Sequence, residues 1–349
     1  MTNTPSISVV IPAYNAAATV GDAIRSVLDQ SLQPNEIIVI DDGSSDDTAR
    51  QVQAFSTMVR LVHQPNAGPA AARNRGIAEA NSDWVAFLDA DDCWYPEKLA
   101  RQAMLILRSP DVDIVFCDWY EKDRCGTVTD RGSTSPASRM NPKDCRPVEI
   151  GEGGSVLTGD VFSALLSTYF LHTNTLLIRS SLLQQNGFDT AFRWGEDWLL
   201  ALDLAYHGAT FGYVDEVLTE YRNRENSICT NANFRTVADR YASSTAPLMR
   251  YGPLTLKQRI RLYPRIRMAG RNLGIRFHDE KRDSASARSI WRETAMWQPI
   301  VPHLPTLVQS ILPPGTLDVA RSTKAFLIRT FFDNKVTTTK SFELQSKLK

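Results

Sequence analysis

The chain has 349 residues, 43% hydrophobic and 22% charged, with 39 basic side chains balancing 39 acidic ones. That is the composition of a soluble globular protein with room for one large domain or two ordinary ones. A net charge of zero excludes a global field that would draw nucleic acid or an anionic membrane, so any such contact needs a local patch. No stretch approaches the roughly 18 uninterrupted apolar residues of a membrane span, and Met1 to Ser8 has no charged n-region or long apolar core. The five cysteines are odd in number and show no CxxC pairing, which points to a reduced, cytoplasmic compartment. The five histidines are scattered without zinc spacing.

Ile7 to Ile11 is β-branched and runs into Pro12, Ala13, Tyr14 and Asn15; Val20, Ala23, Ile24, Val27 and Leu28 then fall at helical spacing. Glu36 to Ile40 predicts a second strand, ending in Asp41-Asp42-Gly43-Ser44, a turn whose Ser45 or Asp46 can cap a helix over 47–55. Val59 to His63 predicts a short third strand. After the turn Asn66-Ala67-Gly68-Pro69, Ala70 to Ala80 is alanine-rich and helical. Trp84 to Asp89 is the fourth strand, and its apolar run ends abruptly in Asp89-Ala90-Asp91-Asp92.

Strand and helix therefore alternate through the first ninety or so residues, the rhythm of βαβ units and a mostly parallel sheet. The strands ending at Pro12, Asp41 and Asp89 turn over at one sheet edge, where open α/β sheets bind ligands. Two acids one residue apart can hold a hard divalent cation and leave positions for phosphate oxygens. An acidic turn in water is the plain alternative for so short a motif.

Pro96 to Arg108 predicts a helix and Ile114 to Cys117 a strand. Residues 121–154 lack a clear period and read as a long variable loop. Asp160 to Leu166 returns to helix and Thr175 to Ile178 to strand. A helix opening at Ser180 is expected to close in a left-handed stop at Asn186-Gly187, another to start at Gly195-Glu196-Asp197-Trp198, and a late strand to cover Thr210 to Val214. Beyond about residue 230, Arg and Lys are dense and Leu262, Ile266, Ala269 and Leu273 keep helical spacing. The expected division is a domain over 1–230 and a helical appendage over 231–349. The apolar run Ala325 to Phe332 has a basic residue inside it, and the polar tail from Thr337 is expected to be loose. The appendage would pack on the domain, pair with a second chain as a homodimer, or touch the inner face of a membrane peripherally.

Four segments together, Val9 to Asn15, Ile38 to Asp46, Asn66-x-Gly68-x-x-x-Ala72-Arg73-Asn74-x-Gly76 and Phe87 to Asp92, resemble the family 2 glycosyltransferases of GT-A fold. A fifth, Gly195 to Trp198, sits where that family carries its E-D motif, and the resemblance spans roughly residues 5–225. It implies an α/β, Rossmann-like sheet and transfer of a sugar from a nucleotide-diphosphate donor, with inversion, onto a glycan or lipid-linked acceptor, as in polysaccharide and cell-envelope synthesis. It also implies Mn²⁺ or Mg²⁺, held by Asp91, with Asp89 on the same metal or on the donor ribose. Pro12, Ala13, Tyr14 and Asn15 would wall the nucleotide pocket, Tyr14 against the base or simply packed in the core. Asp42, or Asp41 in its place, would accept from a base N–H. Gly68 would allow close backbone approach, and Arg73 would face a phosphate or sugar hydroxyl, or pair with one of the acids. Asp197 would be the general base, with Glu196 toward the acceptor and Trp198 stacked on an acceptor sugar face or simply packed; the plain reading of both acids is a favoured helix N-terminus.

Two departures matter. Tyr221 to Ser227 lacks the family's histidine, leaving Arg222, Arg224 or Ser227 for any phosphate contact, and the Q-x-x-R-W signature of processive synthases is absent. A non-processive enzyme is expected. The competing readings are a catalytically silent sugar-nucleotide-binding or scaffold protein and a sugar-nucleotide nucleotidyltransferase. The second would need a Gly-rich basic loop where Pro12 to Asn15 stands.

Overall fold

A computed structural model describes residues 4–122, 127–130, 140–151, 154–222, 234–279 and 283–296. The first strand, β1 (Ile7–Ala13), leads to α1 (Val20–Leu28), β2 (Glu36–Asp41), α2 (Thr48–Gln53), β3 (Arg60–His63), α3 (Pro69–Glu79) and β4 (Trp84–Phe87). These strands pair in parallel in the order β3-β2-β1-β4, as helical crossovers require. Helices covering both faces explain why Val9, Val10, Ile11, Val39, Ile40, Val85 and Ala86 are all fully buried. Pro12 lies within β1, against the usual rule for a central strand. Its neighbour two positions back, Val10, uses its carbonyl to accept from Leu88 N–H. Pro12 therefore turns its missing N–H toward the β4 side, just past the end of β4. Gly76 is needed for close packing: a Cβ there would sit 2.2 Å from Val10 Cγ1, so α3 can lie on β1 only without one.

The chain continues through β5 (Cys93–Trp94), α4 (Lys98–Arg108), β6 (Ile114–Lys122), β7 (Val128–Asp130), β8 (Cys145–Glu149), β9 (Ser155–Gly159) and α5 (Val161–Ser167). A 3₁₀ turn (Thr173–Thr175), β10 (Leu177–Arg179), α6 (Ser180–Gln185), α7 (Glu196–Tyr206) and β11 (Phe211–Arg222) follow. Among the described residues, eleven strands form one sheet in the order β3-β2-β1-β4-β10-β6-β11-β9-β8, with β5 on β11 and β7 on β6. It is parallel in its first four strands and again between β6 and β11, while β10 inserts antiparallel between β4 and β6.

Five expectations are corrected here. The third strand begins at Arg60, and Thr175 belongs to the 3₁₀ turn rather than to β10. The stretch read as a structureless loop over 121–154 contains the end of β6, then β7 and β8; β8 pairs with β9 although only its first residue is buried. The late strand runs on to Arg222 because two register shifts carry it past the exposed pair Asp215-Glu216, where the apolar pattern breaks. No left-handed stop closes α6: Asn186 has φ −136°, and Gly187 is not among the positive-φ glycines.

The chain divides into two compact units, Met1–Ser243 and Ser244–Lys349. The division falls within the last turn of α8 (Phe234–Thr245); the second unit carries α9 (Pro247–Arg250), α10 (Leu256–Asp279) and α11 (Ser284–Met296). The expected stripe Leu262, Ile266, Ala269 and Leu273 is buried, and Gly270 brings α10 close to Thr294 of α11. No helix among the described residues is long and apolar enough to cross a membrane. The run 325–332 and the tail from 337 lie outside the described residues.

Candidate functional site

At the C-terminal edge of β1 and β2, two loops are laced together through side chains. Asn15 takes a left-handed φ of 48°, which Asn tolerates better than most residues. Its N–H donates to Ser44 Oγ at 3.0 Å, and its Oδ1 accepts from Ser45 N–H at 2.9 Å. Ala16 N–H donates to Thr48 Oγ1 at 2.8 Å and Ala17 N–H to Asp46 Oδ2 at 3.1 Å. Tyr14 stands out from this frame, 54% exposed, so it is not a core aromatic. Asp41 is committed to its own turn, accepting from Ser44 N–H and meeting His63 Nδ1 at 3.0 Å. Asp42 is buried and accepts from Gln64 Nε2 at 2.7 Å, Ala67 N–H at 2.8 Å and Gly68 N–H at 2.9 Å. A carboxylate has about four acceptor positions, so Asp42 retains one, on Oδ2. Gly68 itself has φ 93° and open space where a Cβ would lie, so its backbone conformation, not crowding, calls for glycine.

At the end of β4 the acids separate into different environments. Asp89 is partly exposed and takes Arg73 Nη2 on Oδ1 at 2.7 Å. Asp92 is buried, accepting from Asn174 Nδ2 at 2.8 Å and from Arg222 N–H at 3.0 Å. Burial, then the charges of Asp91 and Asp89, push the Asp92 pKa well above the usual carboxylate range. Asp92 thus serves as an anchor tying the acidic loop to β11 and the 3₁₀ turn.

Arg73, on α3, joins this edge to α7. Its other arm, Nη1, meets Glu196 Oε1 at 2.9 Å, across 123 positions of sequence. The guanidinium lies 5.3 Å over the Phe188 ring, which is itself edge-on to Phe87. Burial opposes the charge on Arg73, but Asp89 and then Glu196 outweigh it, and its pKa is raised. The neighbouring Asn74 fixes the approach to α7, donating to Phe188 C=O and accepting from Phe188 N–H, both at 2.8 Å. Gly195, at φ 82°, then opens the helix. Burial, then the charge of Asp197, push the Glu196 carboxyl up to about 7 against the pull of Arg73. Asp197 remains partly exposed, with Trp198 N–H on Oδ1 at 2.8 Å and the Thr173 hydroxyl on Oδ2 at 3.2 Å. Burial, then the same Asp197 charge, raise the Tyr169 hydroxyl pKa well above normal.

Arg73, Asp89, Glu196 and Asp197 are thereby brought to one place, with Pro12 to Asn15, Asp42 and Gly68 at the same sheet edge. Two expectations are corrected. Trp198 is fully buried, its indole N–H donating to Leu165 C=O, so no ring face is open to an acceptor sugar. Glu196 is buried on Arg73 instead of facing an acceptor. Arg222 pairs with Glu220 at 2.7 Å and Asp22 at 3.4 Å; Arg224 and Ser227 lie outside the described residues. Sequence reasoning placed Asn74 in a motif without giving it a role, and it missed Thr173 and Asn174, which carried no signal.

Among the described residues no cluster of three or more His, Cys, Asp or Glu forms a metal cage. Mg²⁺ and Mn²⁺ bound with a nucleotide need one or two carboxylates, the rest of the shell being phosphate and water. Asp89, accessible and with only Oδ1 taken by Arg73, beside Asp91, fits that smaller requirement. Three carboxyls stand within four positions of this loop, and Asp91 and Asp89 add to the burial that raises the Asp92 pKa.

The family model for glycosyl transferase family 2 matches residues 8–165. A putative teichuronic acid biosynthesis glycosyltransferase of Bacillus subtilis is 31% identical over 236 residues, covering 66% of this chain and 84% of that protein. An uncharacterized glycosyltransferase of Escherichia coli is 40% identical over 124 residues, 34% of this chain and 36% of that one. The chain spans about a third of the length of three curated Rickettsia relatives, 33% of the R. conorii protein at 31% identity over 63% of this chain. In structure it is similar to S. aureus TarS solved in complex with UDP-GlcNAc, with TM-score 0.57 at 17% identity, over 83% of this chain and 80% of that one. This likeness shows the fold, that of the GT-A glycosyltransferases. With a relative of that identity matched over most of its length, the chain belongs to the family 2 glycosyltransferases.

Proposed function

We propose that the chain is a metal-dependent, inverting, non-processive glycosyltransferase. It moves a sugar from a nucleotide-diphosphate donor to a glycan or lipid-linked acceptor. The observation that carries this reading is Arg73, which holds Asp89 at the end of β4 and Glu196, beside Asp197, at the start of α7. One buried cation sets the separation between the acids suited to a donor and the acid suited to a base.

Asp91, with Asp89, would hold Mg²⁺ or Mn²⁺ against the diphosphate, and Asp89 has a second oxygen for the ribose. The metal would supply positive charge to the departing diphosphate, so that group leaves without a proton. The exposed Tyr14 faces the base, and Asp42 offers its remaining acceptor position to a base N–H. Asp197, partly exposed and held by two donors, takes the proton of the acceptor hydroxyl. The hydroxyl oxygen then bonds to the anomeric carbon as the bond to the diphosphate breaks on the opposite face, inverting that centre.

A peripheral contact with an anionic lipid surface is part of this reading. On the outer side of α10, Leu256, Ile260, Met268 and Ile275 are exposed beside Lys257, Arg267 and Arg271, with no acid from 256 to 278. Sedimentation with anionic but not neutral vesicles is the expected result.

The reading is tested by screening UDP, GDP and dTDP sugars for a rise in Tm and for donor hydrolysis, with and without Mn²⁺. One donor is expected to stabilise the protein and to be hydrolysed only with the metal. Stabilisation without any hydrolysis would instead indicate a silent binding protein.

A further inference from the structure

The 3₁₀ turn Thr173–Thr175 is buried at all three residues, at 4%, 0% and 0% exposure, yet two of its side chains point at acids of the site. Thr173 Oγ1 donates to Asp197 Oδ2 at 3.2 Å, and Asn174 Nδ2 donates to Asp92 Oδ2 at 2.8 Å. The turn is itself held from behind. Trp94 Nε1–H donates to Asn174 C=O at 2.9 Å, Gln102 Nε2 to Thr175 C=O at 2.8 Å, and Thr175 Oγ1 to His172 C=O at 2.7 Å. Thr219 Oγ1 and His172 Nδ1 meet Asn174 Oδ1. A fully buried amide with these partners has little freedom to turn.

We infer that Thr173 and Asn174 are positioning residues: Thr173 fixes the Asp197 base, and Asn174 fixes the loop that carries Asp89 and Asp91. The inference rests on reading Asp197 as the base. Its physical content is that adjacent residues on one rigid turn set the two acids' separation through a single peptide unit. Residue type matters at both places. Asn174 must be a donor because it faces a carboxylate, which an aspartate could not do without adding a second buried charge. Thr173 supplies one hydrogen bond to a carboxylate that also faces Glu196, Arg73 and Tyr169. That bond holds one carboxylate oxygen in place, so removing it frees the base to turn away from the reacting hydroxyl.

The test is steady-state hydrolysis of the donor chosen from the UDP, GDP and dTDP sugar panel, with Mn²⁺, on the full chain. Thr173→Val is expected to lower kcat about tenfold, the worth of one such hydrogen bond, with donor KM within about twofold. Thr173→Ser restores the rate. Asn174→Ala is expected to raise donor KM about tenfold or more while kcat changes little. A Thr173→Val enzyme with unchanged kcat overturns the inference. So does a pair of variants that lose kcat and KM alike in step with a fallen Tm. Asp197→Asn is run alongside: if it hydrolyses donor at the normal rate, the base reading itself has failed. If it is inactive while Thr173→Val is normal, the positioning role alone has failed.

Discussion

At the end of β4 the buried acid, Asp92, meets an amide and a backbone N–H, whereas at the start of α7 the buried acid, Glu196, meets a guanidinium. Each stands beside a more accessible acid, Asp91 in the first cluster and Asp197 in the second. In both, burial and the neighbouring charge raise the pKa of the buried member. The difference in partners teaches what each cluster is built to tolerate. In the β4 loop the buried acid takes neutral donors, and Arg73 meets the more exposed Asp89 instead. At α7 the other arm of that guanidinium meets the buried Glu196, while the more exposed Asp197 takes a backbone N–H and a hydroxyl.

The largest effect that can break this comparison is in turnover. Asp197→Asn is expected to lower kcat by about a thousandfold, within the range of a lost general base, whereas Glu196→Gln retains most of its rate. Comparable losses in both would erase the distinction between accessible and buried acid, and steady-state kinetics of the two variants decides it. Next in size is stability. Arg73→Met leaves Glu196 and Asp89 without their cation and is expected to cost about 3–5 kcal/mol in chemical denaturation. Asp92→Ala leaves only neutral donors unsatisfied and is expected to cost less, about 1–3 kcal/mol.

The smallest effect is in pH dependence. Glu196 has its folded pKa raised from 4.5 to about 7, so the folded state retains a proton that the unfolded chain has lost. Its contribution to stability is fully present below pH 4.5 and is lost as pH rises through about 7. The Tm difference between wild type and Glu196→Gln is therefore expected to shift against the wild type as pH rises through that window, which thermal melts at constant ionic strength will show.

The parallel half of the fold was legible because β-branched runs, short loops and helical spacing agree from Ile7 to Asp89. Later elements were less so for local reasons. Asp215 and Glu216 interrupt the apolar pattern of β11 at its bulges, and β8 is mostly exposed, so neither carries a strong period. In the site, the acids announced themselves through motif order, but their partners did not. Arg73 was readable either as a ligand contact or as an ion pair, and only the fold brings Glu196 to it. Trp198 was readable as a sugar platform or as core packing, and its helix turns the ring into the core. Thr173 and Asn174 carry ordinary side chains in an ordinary stretch. Their meaning is set wholly by two acids that arrive from elsewhere in the chain.

On the proposed reading donor and proton are handled by different acids, which two variants can separate. Donor affinity by calorimetry and donor hydrolysis are to be measured with Mn²⁺ for Asp197→Asn and Asp91→Ala. Asp197→Asn should bind the donor as the wild type does and fail to turn it over, while Asp91→Ala should lose the affinity. Normal turnover by the first, or normal metal-dependent affinity in the second, would contradict that reading.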